Sequence, residues 1–172
     1  MDTYQFRKTT STDLPSILEL VNIAYRSKTL RGWTSEADLI IGQRIDINQL
    51  KALITEHSEL FVMQFNDHLI GCVHLELYSA YCYIGMLTTH PNFQNKGIGK
   101  QLLQHAEKYA ISHYSLNEFR ISVLSAREEL IQFYQRRGYQ LTDEQTPYPI
   151  HANVGTPQIK DLCVIHLIKR SF

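Results

Sequence analysis

The chain of 172 residues predicts an α/β fold, a mixed central β-sheet flanked by helices on both faces, and three patterns carry that expectation. Residues 83–87, Tyr-Ile-Gly-Met-Leu, form a strand-like run that passes through a glycine-punctuated turn at 90–100 into a helix, where Ile98, Leu102, Ala106, Tyr109 and Ala110 recur at helical spacing. Phe61, Met63 and Phe65 alternate with polar or smaller residues, and the turn pair Asn66-Asp67 then leads into an apolar run at 69–77, the pattern of a hairpin. Further along, Phe119, Ile121 and Val123 alternate as a strand and hand over to a helical segment that stops at Gly138. Strands joined by helices beside hairpins give a sheet with both parallel and antiparallel pairs.

The remaining elements follow in order. Residues 4–7 are a short strand, and the capping-rich run Thr10-Ser11-Thr12-Asp13 precedes a helix that reaches about Arg26. Pro15 falls in its first turn, where proline is tolerated, and Leu14, Ile17, Leu18, Val21 and Ala24 share one face. Residues 27–45 form a connecting arm, turn-like at 31–36, with a short helix after that turn; residues 46–55 are helix-like through Ile47, Leu50 and Ile54. Ser125 and Glu128 have the spacing of a capping box, which starts the late helix at Ser125. Residues 139–141 and 162–168 are the last strands. With no internal repeat or low-complexity stretch, residues 1–172 form a single domain.

Composition narrows the function classes. The chain is 44% hydrophobic, enough for one substantial core, and its 17 Lys+Arg balance 17 Asp+Glu. No basic block tracks a nucleic-acid backbone, and no apolar run approaches the roughly 20 residues that span a bilayer. The expectation is a cytoplasmic protein with no nucleic-acid or membrane partner; a homodimer is compatible with it. Cys72, Cys82 and Cys163 are odd in number and widely spaced, which fits buried reduced thiols. His105, His151 and His166 show no metal-ligand spacing, so no metal site is expected.

The turn at 90–100 supports chemistry as well as structure. A helix N-terminus offers unpaired N–H groups and the positive end of the dipole, and Gly97 and Gly99 let an anion approach the backbone there. The same string also occurs in ordinary strand-to-helix turns. In the wider run, Gly85-Met86-Leu87-Thr88-Thr89-His90-Pro91 followed by Gln94-Asn95-Lys96-Gly97-Ile98-Gly99 resembles the acetyl-coenzyme A signature of the GCN5-related N-acetyltransferases (GNAT). Residues 125–139, with Tyr134, three intervening residues, Gly138 and Tyr139, are similar to that family's late helix. The order of elements along nearly the whole chain resembles the family's single domain.

That resemblance implies an acetyl-coenzyme A-dependent N-acetyltransferase that moves an acetyl group to a primary amine of a small molecule or peptide by direct transfer in a ternary complex. Asn95, Lys96, Gly97, Ile98, Gly99 and Lys100 would bind the pyrophosphate mainly through backbone N–H groups, with Gln94 bracing the turn. Lys96 or Lys100 adds a charged contact or is a solvated surface cation. Leu87, Thr88 and Thr89 match the splayed strand that holds the pantetheine arm.

The reaction needs a neutral amine and a proton for the departing thiolate. A lysine-type amine, with a pKa of about 10.4, is neutral at pH 7 in only roughly one part in a few thousand, equivalent to about 4–5 kcal/mol. Tyr134 matches the family's general acid, the alternative being a packing role beside Leu130 and Ile131. The family often carries a glutamate just before the Gly-Met-Leu segment, but Cys82 and Tyr83 stand there. His74 and Glu76 share one strand face and either could reach the cleft as the base, directly or through water, the alternative being an exposed hairpin face. Arg127 replaces a frequent asparagine. These departures leave a second reading, a coenzyme A-binding sensor or partner module with weak or absent turnover.

Acceptor choice is expected in the arm around Trp33 and in the loop containing Tyr148. Residues 31–60 hold three cations against five carboxylates, which would attract a cationic amine through Glu36 or Asp38. Ser35 and Asp38 equally fit a helix cap, and Trp33 is a substrate wall or a core anchor.

Overall fold

The computed structural model describes residues 3–172. Its order is β1 (Tyr4–Lys8), α1 (Leu14–Arg26), β2 (Ile40–Ile41), α2 (Ile47–Ala52), β3 (Ser58–Phe65), β4 (His68–Leu77), β5 (Cys82–Thr89), α3 (Ile98–Tyr114), β6 (Glu118–Leu124), α4 (Glu128–Gln135), β7 (Gln140–Pro147), β8 (Thr156–Pro157) and β9 (Cys163–Arg170). Among the described residues seven strands form the main sheet in the order β1-β3-β4-β5-β6-β9-β7, and β2 pairs with β8 beside it. The β5–β6 pair is parallel and the other pairs are antiparallel. This is the expected mixed sheet.

Alternation along β3 divides the core. Leu60 and Val62 pack with Leu14, Ile17, Leu20 and Val21 of α1 and Leu50 of α2 on one face. Phe61 and Met63 pack with Ile98, Leu102, Leu103 and Ala106 of α3 on the other. The β3–β4 hairpin turns on Asn66 and Asp67, both at positive φ, as a two-residue turn matched to strand twist requires. Helix α1 spans the expected residues, with Pro15 in its first turn and Arg7 paired to Asp13 at 2.7 Å just before it.

Three local expectations give way to longer-range pairing. Ser125 does not cap α4: its N–H donates to the Cys163 carbonyl and its Oγ accepts from the Cys163 N–H, so the chain stays in the sheet and Arg127 becomes the N-cap. The helix expected after residue 36 is one turn only, with Leu39 and Ile40 N–H donating to the Glu36 carbonyl. Ile40 and Ile41 then join β8, a conformation suited to β-branched residues. Helix α2 is shorter than 46–55; Asp46 and Gln49 close a reciprocal cap, and Ile54 lies outside and exposed. The three cysteines are unbridged, Cys72 and Cys82 buried and Cys163 half-buried. No helix among the described residues is long and apolar enough to cross a membrane.

Candidate active site

Strands β5 and β6 pair at Cys82–Phe119 and Tyr83–Arg120 and then part. The cause lies in β5 itself. Met86 takes a left-handed conformation (φ 50°), and the β4 register shifts opposite it between Cys72 and His74, which bends the strand away from β6. Thr88 Oγ1 donates to the Met86 carbonyl at 2.9 Å, and the Tyr25 hydroxyl from α1 donates to the Leu87 carbonyl at 3.2 Å. The opening holds two cavities, of about 300 and about 510 Å³.

The smaller cavity is walled by Leu87, Thr88 and Thr89 at the end of β5 and by Gln94, Asn95, Gly97, Ile98, Gly99 and Lys100 across the turn. Asn95 (φ 63°) and Gly97 (φ 77°) are both left-handed, and Gly97 caps the 17-residue α3 without a side chain, so the helix's first N–H groups face outward. A Cβ on Gly99 would meet Thr89 Oγ1 and the Phe133 ring only at 3.5 and 3.7 Å, so the missing side chain leaves room in the cavity. Gln94 fixes the turn to the arm: Nε2 donates to the Thr89 carbonyl and Oε1 accepts from the Trp33 N–H at 2.8 Å, while any side chain at Gly32 would overlap its amide. Lys96 is not on this wall; its ammonium lies 4.9 Å over the Phe93 ring.

Two cations that the sequence reading missed, Arg136 and Arg137, join Lys100 on the same cavity. Arg137 stacks 3.5 Å over Phe133 and donates to the Phe133 carbonyl, yet its buried Nε has no partner among the described residues. Burial and the neighbouring Arg136 hold its pKa below the usual arginine range. A cavity with an open helix N-terminus and four cations on its lining, Arg127 being the fourth, fits a polyanionic ligand. The Arg136-Arg137-Gly138 run was the available signal, but cations near a helix C-terminus are common for stability alone.

Tyr134 lines both cavities. It is only 5% exposed, packs edge-on to Phe133 and Tyr139, and its hydroxyl makes no hydrogen bond among the described residues. Burial raises its pKa well above the usual tyrosine value, so the proton is retained at neutral pH.

His74, Glu76 and Tyr148 line the larger cavity, as does Glu36. His74 lies opposite Gly85 in the sheet, is buried, and its Nε2 is 2.9 Å from the Leu53 carbonyl. A carbonyl only accepts, so Nε2 carries the hydrogen and Nδ1 keeps its lone pair. Burial lowers the His74 pKa, which favours the neutral ring. Glu76 lies two residues along on the same face, opposite Tyr83, and is exposed. Tyr148 is buried, its hydroxyl bonded to the Val154 and Gly155 carbonyls at 3.1 Å, which ties the last loop over the cavity.

The acceptor assignments in the arm need correction. Trp33 is 39% exposed, tilted against Phe133, and lines the smaller cavity and not the larger, so it is not a core anchor. Asp38 lines neither cavity; it is exposed and receives two hydrogen bonds from Arg31 at 2.6 and 2.9 Å. Glu36 is buried with its charge already matched, Oε2 accepting from Arg26 and Oε1 from Arg127. Arg127 also donates to Thr34 Oγ1 at 2.7 Å, so the residue in the asparagine's place fastens the arm to α4.

The comparisons with known proteins agree with this architecture. A ribosomal-protein-S18-alanine N-acetyltransferase from Escherichia coli superposes with a TM-score of 0.75 at 12% identity, covering 98% of this chain and 94% of that one. PaiA N-acetyltransferase from Thermoplasma acidophilum, solved with coenzyme A, gives 0.75 at 18% identity over 98% and 99%. A GNAT family acetyltransferase from Elizabethkingia anophelis, solved with acetyl-CoA bound, gives 0.72 at 21% identity over 99% and 100%. At these identities the likeness is one of fold. No curated protein matches the sequence. The sequence profile of the acetyltransferase (GNAT) family matches residues 16–139, most of the chain and both motif regions. The chain therefore belongs to the GNAT family of N-acetyltransferases.

Proposed function

We propose that this enzyme carries the acetyl group from acetyl-coenzyme A directly to a primary amine of a small molecule or peptide, with both substrates bound at once. The observation that carries the reading is the unpaired Tyr134 hydroxyl where the two cavities meet. The backbone of residues 95–99 and the side chains of Lys100, Arg136 and Arg137 hold the phosphates. The exposed backbone of β5 beyond Tyr83 orients the amide-bearing arm in the split between β5 and β6.

The larger cavity receives the amine. His74 Nδ1 takes its proton, directly or through one water, and Glu76 on the same face holds the positive charge before that step. The amine nitrogen then bonds to the acetyl carbon as the carbon–sulfur bond breaks, and the second proton that the nitrogen sheds leaves to solvent. Tyr134 donates its proton to the departing sulfur and recovers one from solvent. His74 needs no metal or nucleophilic partner for this role.

Thiol release measured over polyamines, amino acids, aminoglycosides and peptide N-termini tests the proposal. Acetyl-dependent release with at least one class supports it. Tight coenzyme binding with no release from any class would leave a binding module.

A further inference from the structure

The larger cavity has a charge arrangement that the transfer reaction does not use. Glu36 is shared by two guanidinium groups, with Arg26 Nε at 3.0 Å and Arg127 Nη1 at 3.1 Å. Arg26 is otherwise consumed by the Gly42, Gln43 and Val154 carbonyls. Arg127 Nε is buried without a hydrogen bond among the described residues, Glu129 Oε1 standing off at 3.9 Å. With Glu129 counted, two guanidinium groups face two carboxylates, so this cluster is matched in charge.

Arg44 adds another cation. Its half-buried side chain lines the same cavity and makes no hydrogen bond or ion pair among the described residues. Its guanidinium carbon lies 5.5 Å from the Tyr25 ring centroid, and the Tyr25 hydroxyl is itself fixed to the Leu87 carbonyl. The backbone is held as well: Asn22 Oδ1 accepts from the Arg44 N–H at 2.8 Å, and Asn22 Nδ2 donates to the Ile45 carbonyl. A cation so positioned and left without an anion is a recognition group in waiting.

Glu76 is the carboxylate of this lining with no ion pair among the described residues, and it lies beside Tyr83. Arg44 is anchored near Leu87, four residues further along β5 and past the bend at Met86. The cavity thus has an anionic end and a cationic end. A polyamine would place charge against Arg44, whereas a molecule with an amine at one end and an anion at the other matches both ends.

Resting on the transfer reading above, we propose that the acceptor is an amine that also bears a carboxylate, an amino-acid-type molecule whose carboxylate pairs with the Arg44 guanidinium. A guanidinium accepts a carboxylate in two parallel hydrogen bonds, which fixes the orientation of the molecule as well as its affinity.

The test compares L-amino acids with their α-carboxamides, and spermidine as a cation without a carboxylate. Thiol release should favour at least one acid over its carboxamide by about 10- to 100-fold in kcat/KM, the range of a charge-assisted pair. Arg44→Gln should collapse that ratio toward one, and Arg44→Lys should leave an intermediate ratio, with coenzyme affinity reporting that each variant is folded. Equal or better turnover of carboxamides or spermidine, or a ratio unchanged in Arg44→Gln, overturns the proposal while leaving acetyl transfer intact. Calorimetry of the same pairs on protein saturated with coenzyme A separates the other case. Carboxylate-dependent, Arg44-dependent binding without thiol release would keep the anion site and remove the transfer reading.

Discussion

The coenzyme cavity takes one long side from nearly consecutive residues, 87–100, and presents backbone there, while the acceptor cavity collects side chains from distant segments: Glu36 and Arg44 from the arm, His74 and Glu76 from β4, Arg127 from the head of α4 and Tyr148 from the last loop. A backbone cradle depends on conformation, so most of its side chains are exchangeable apart from the glycines. A side-chain cavity depends on each residue and on the pairs between them. Tyr134 lines both cavities.

The largest expected effect falls on that shared residue. Tyr134→Phe keeps the ring packing with Phe133 and Tyr139 and deletes only the proton donor. Turnover should drop by roughly 10²–10⁴-fold with coenzyme affinity little changed. Wild-type turnover would make Tyr134 a packing residue and dissolve the link between the cavities.

The acceptor wall should be the more fragile of the two in folding. Glu36→Gln leaves Arg26 and Arg127 buried without their carboxylate, and removing one member of such a buried pair costs about 3–5 kcal/mol. Asp38→Asn breaks an exposed pair and should barely move the melting temperature. Equal melting shifts in the two variants would mean that Glu36 is not the keystone of the wall.

These two residues also mark where sequence reasoning stops. Helix α1, the Asn66-Asp67 hairpin, the glycine turn and α3 are encoded within a few residues each, by apolar spacing, caps and positive-φ turn residues, and they were legible. The Ser125 cap and the helix after Glu36 were not, because Cys163 and Thr156–Pro157 compete for the same backbone from far along the chain. The charge argument for Glu36 and Asp38 stops for the same reason. Counting charges over residues 31–60 suggested attraction for a cation, but Arg26 and Arg127, both outside that window, neutralise Glu36, and Arg31 takes Asp38 out of the site. Arg137 was hidden by a bland alternative rather than by distance.

On the cradle side, the effect should be smaller and confined to the donor. Gly99→Val fills the space beside Thr89 and Phe133 without demanding a left-handed backbone, so coenzyme affinity should fall at least about tenfold, near 1.4 kcal/mol, in a protein that still folds. Calorimetric titration with coenzyme A reads it directly, and unchanged affinity would move the phosphates elsewhere.

The smallest effects concern pH. Burial lowers the pKa of His74, His90 and His105, so as pH falls below about 6.5 the unfolded chain takes up protons that the folded chain resists. Stability should be full above that value and decline below it. Asp13 behaves in a second, lower window: Arg7 holds its pKa at about 2, so its contribution is complete above the ordinary value of 3.8 and is lost as pH drops toward 2. Melting curves from pH 8 to 3 should show the first decline, and His74→Gln should shrink it. A melting temperature flat from pH 8 to 5 would contradict the buried neutral ring.

The central claim is that donor and acceptor occupy adjoining cavities together and that the acetyl group passes between them without resting on the protein. Initial rates with both substrates varied, combined with the intact mass of the protein after incubation with acetyl-CoA alone, test it most directly. Intersecting reciprocal plots and a chain that gains no acetyl group are the predicted result. Parallel plots with an acetylated chain would contradict it and would turn attention to a nucleophile such as Ser122, whose hydroxyl lies on the acceptor cavity 2.9 Å from His166 Nδ1.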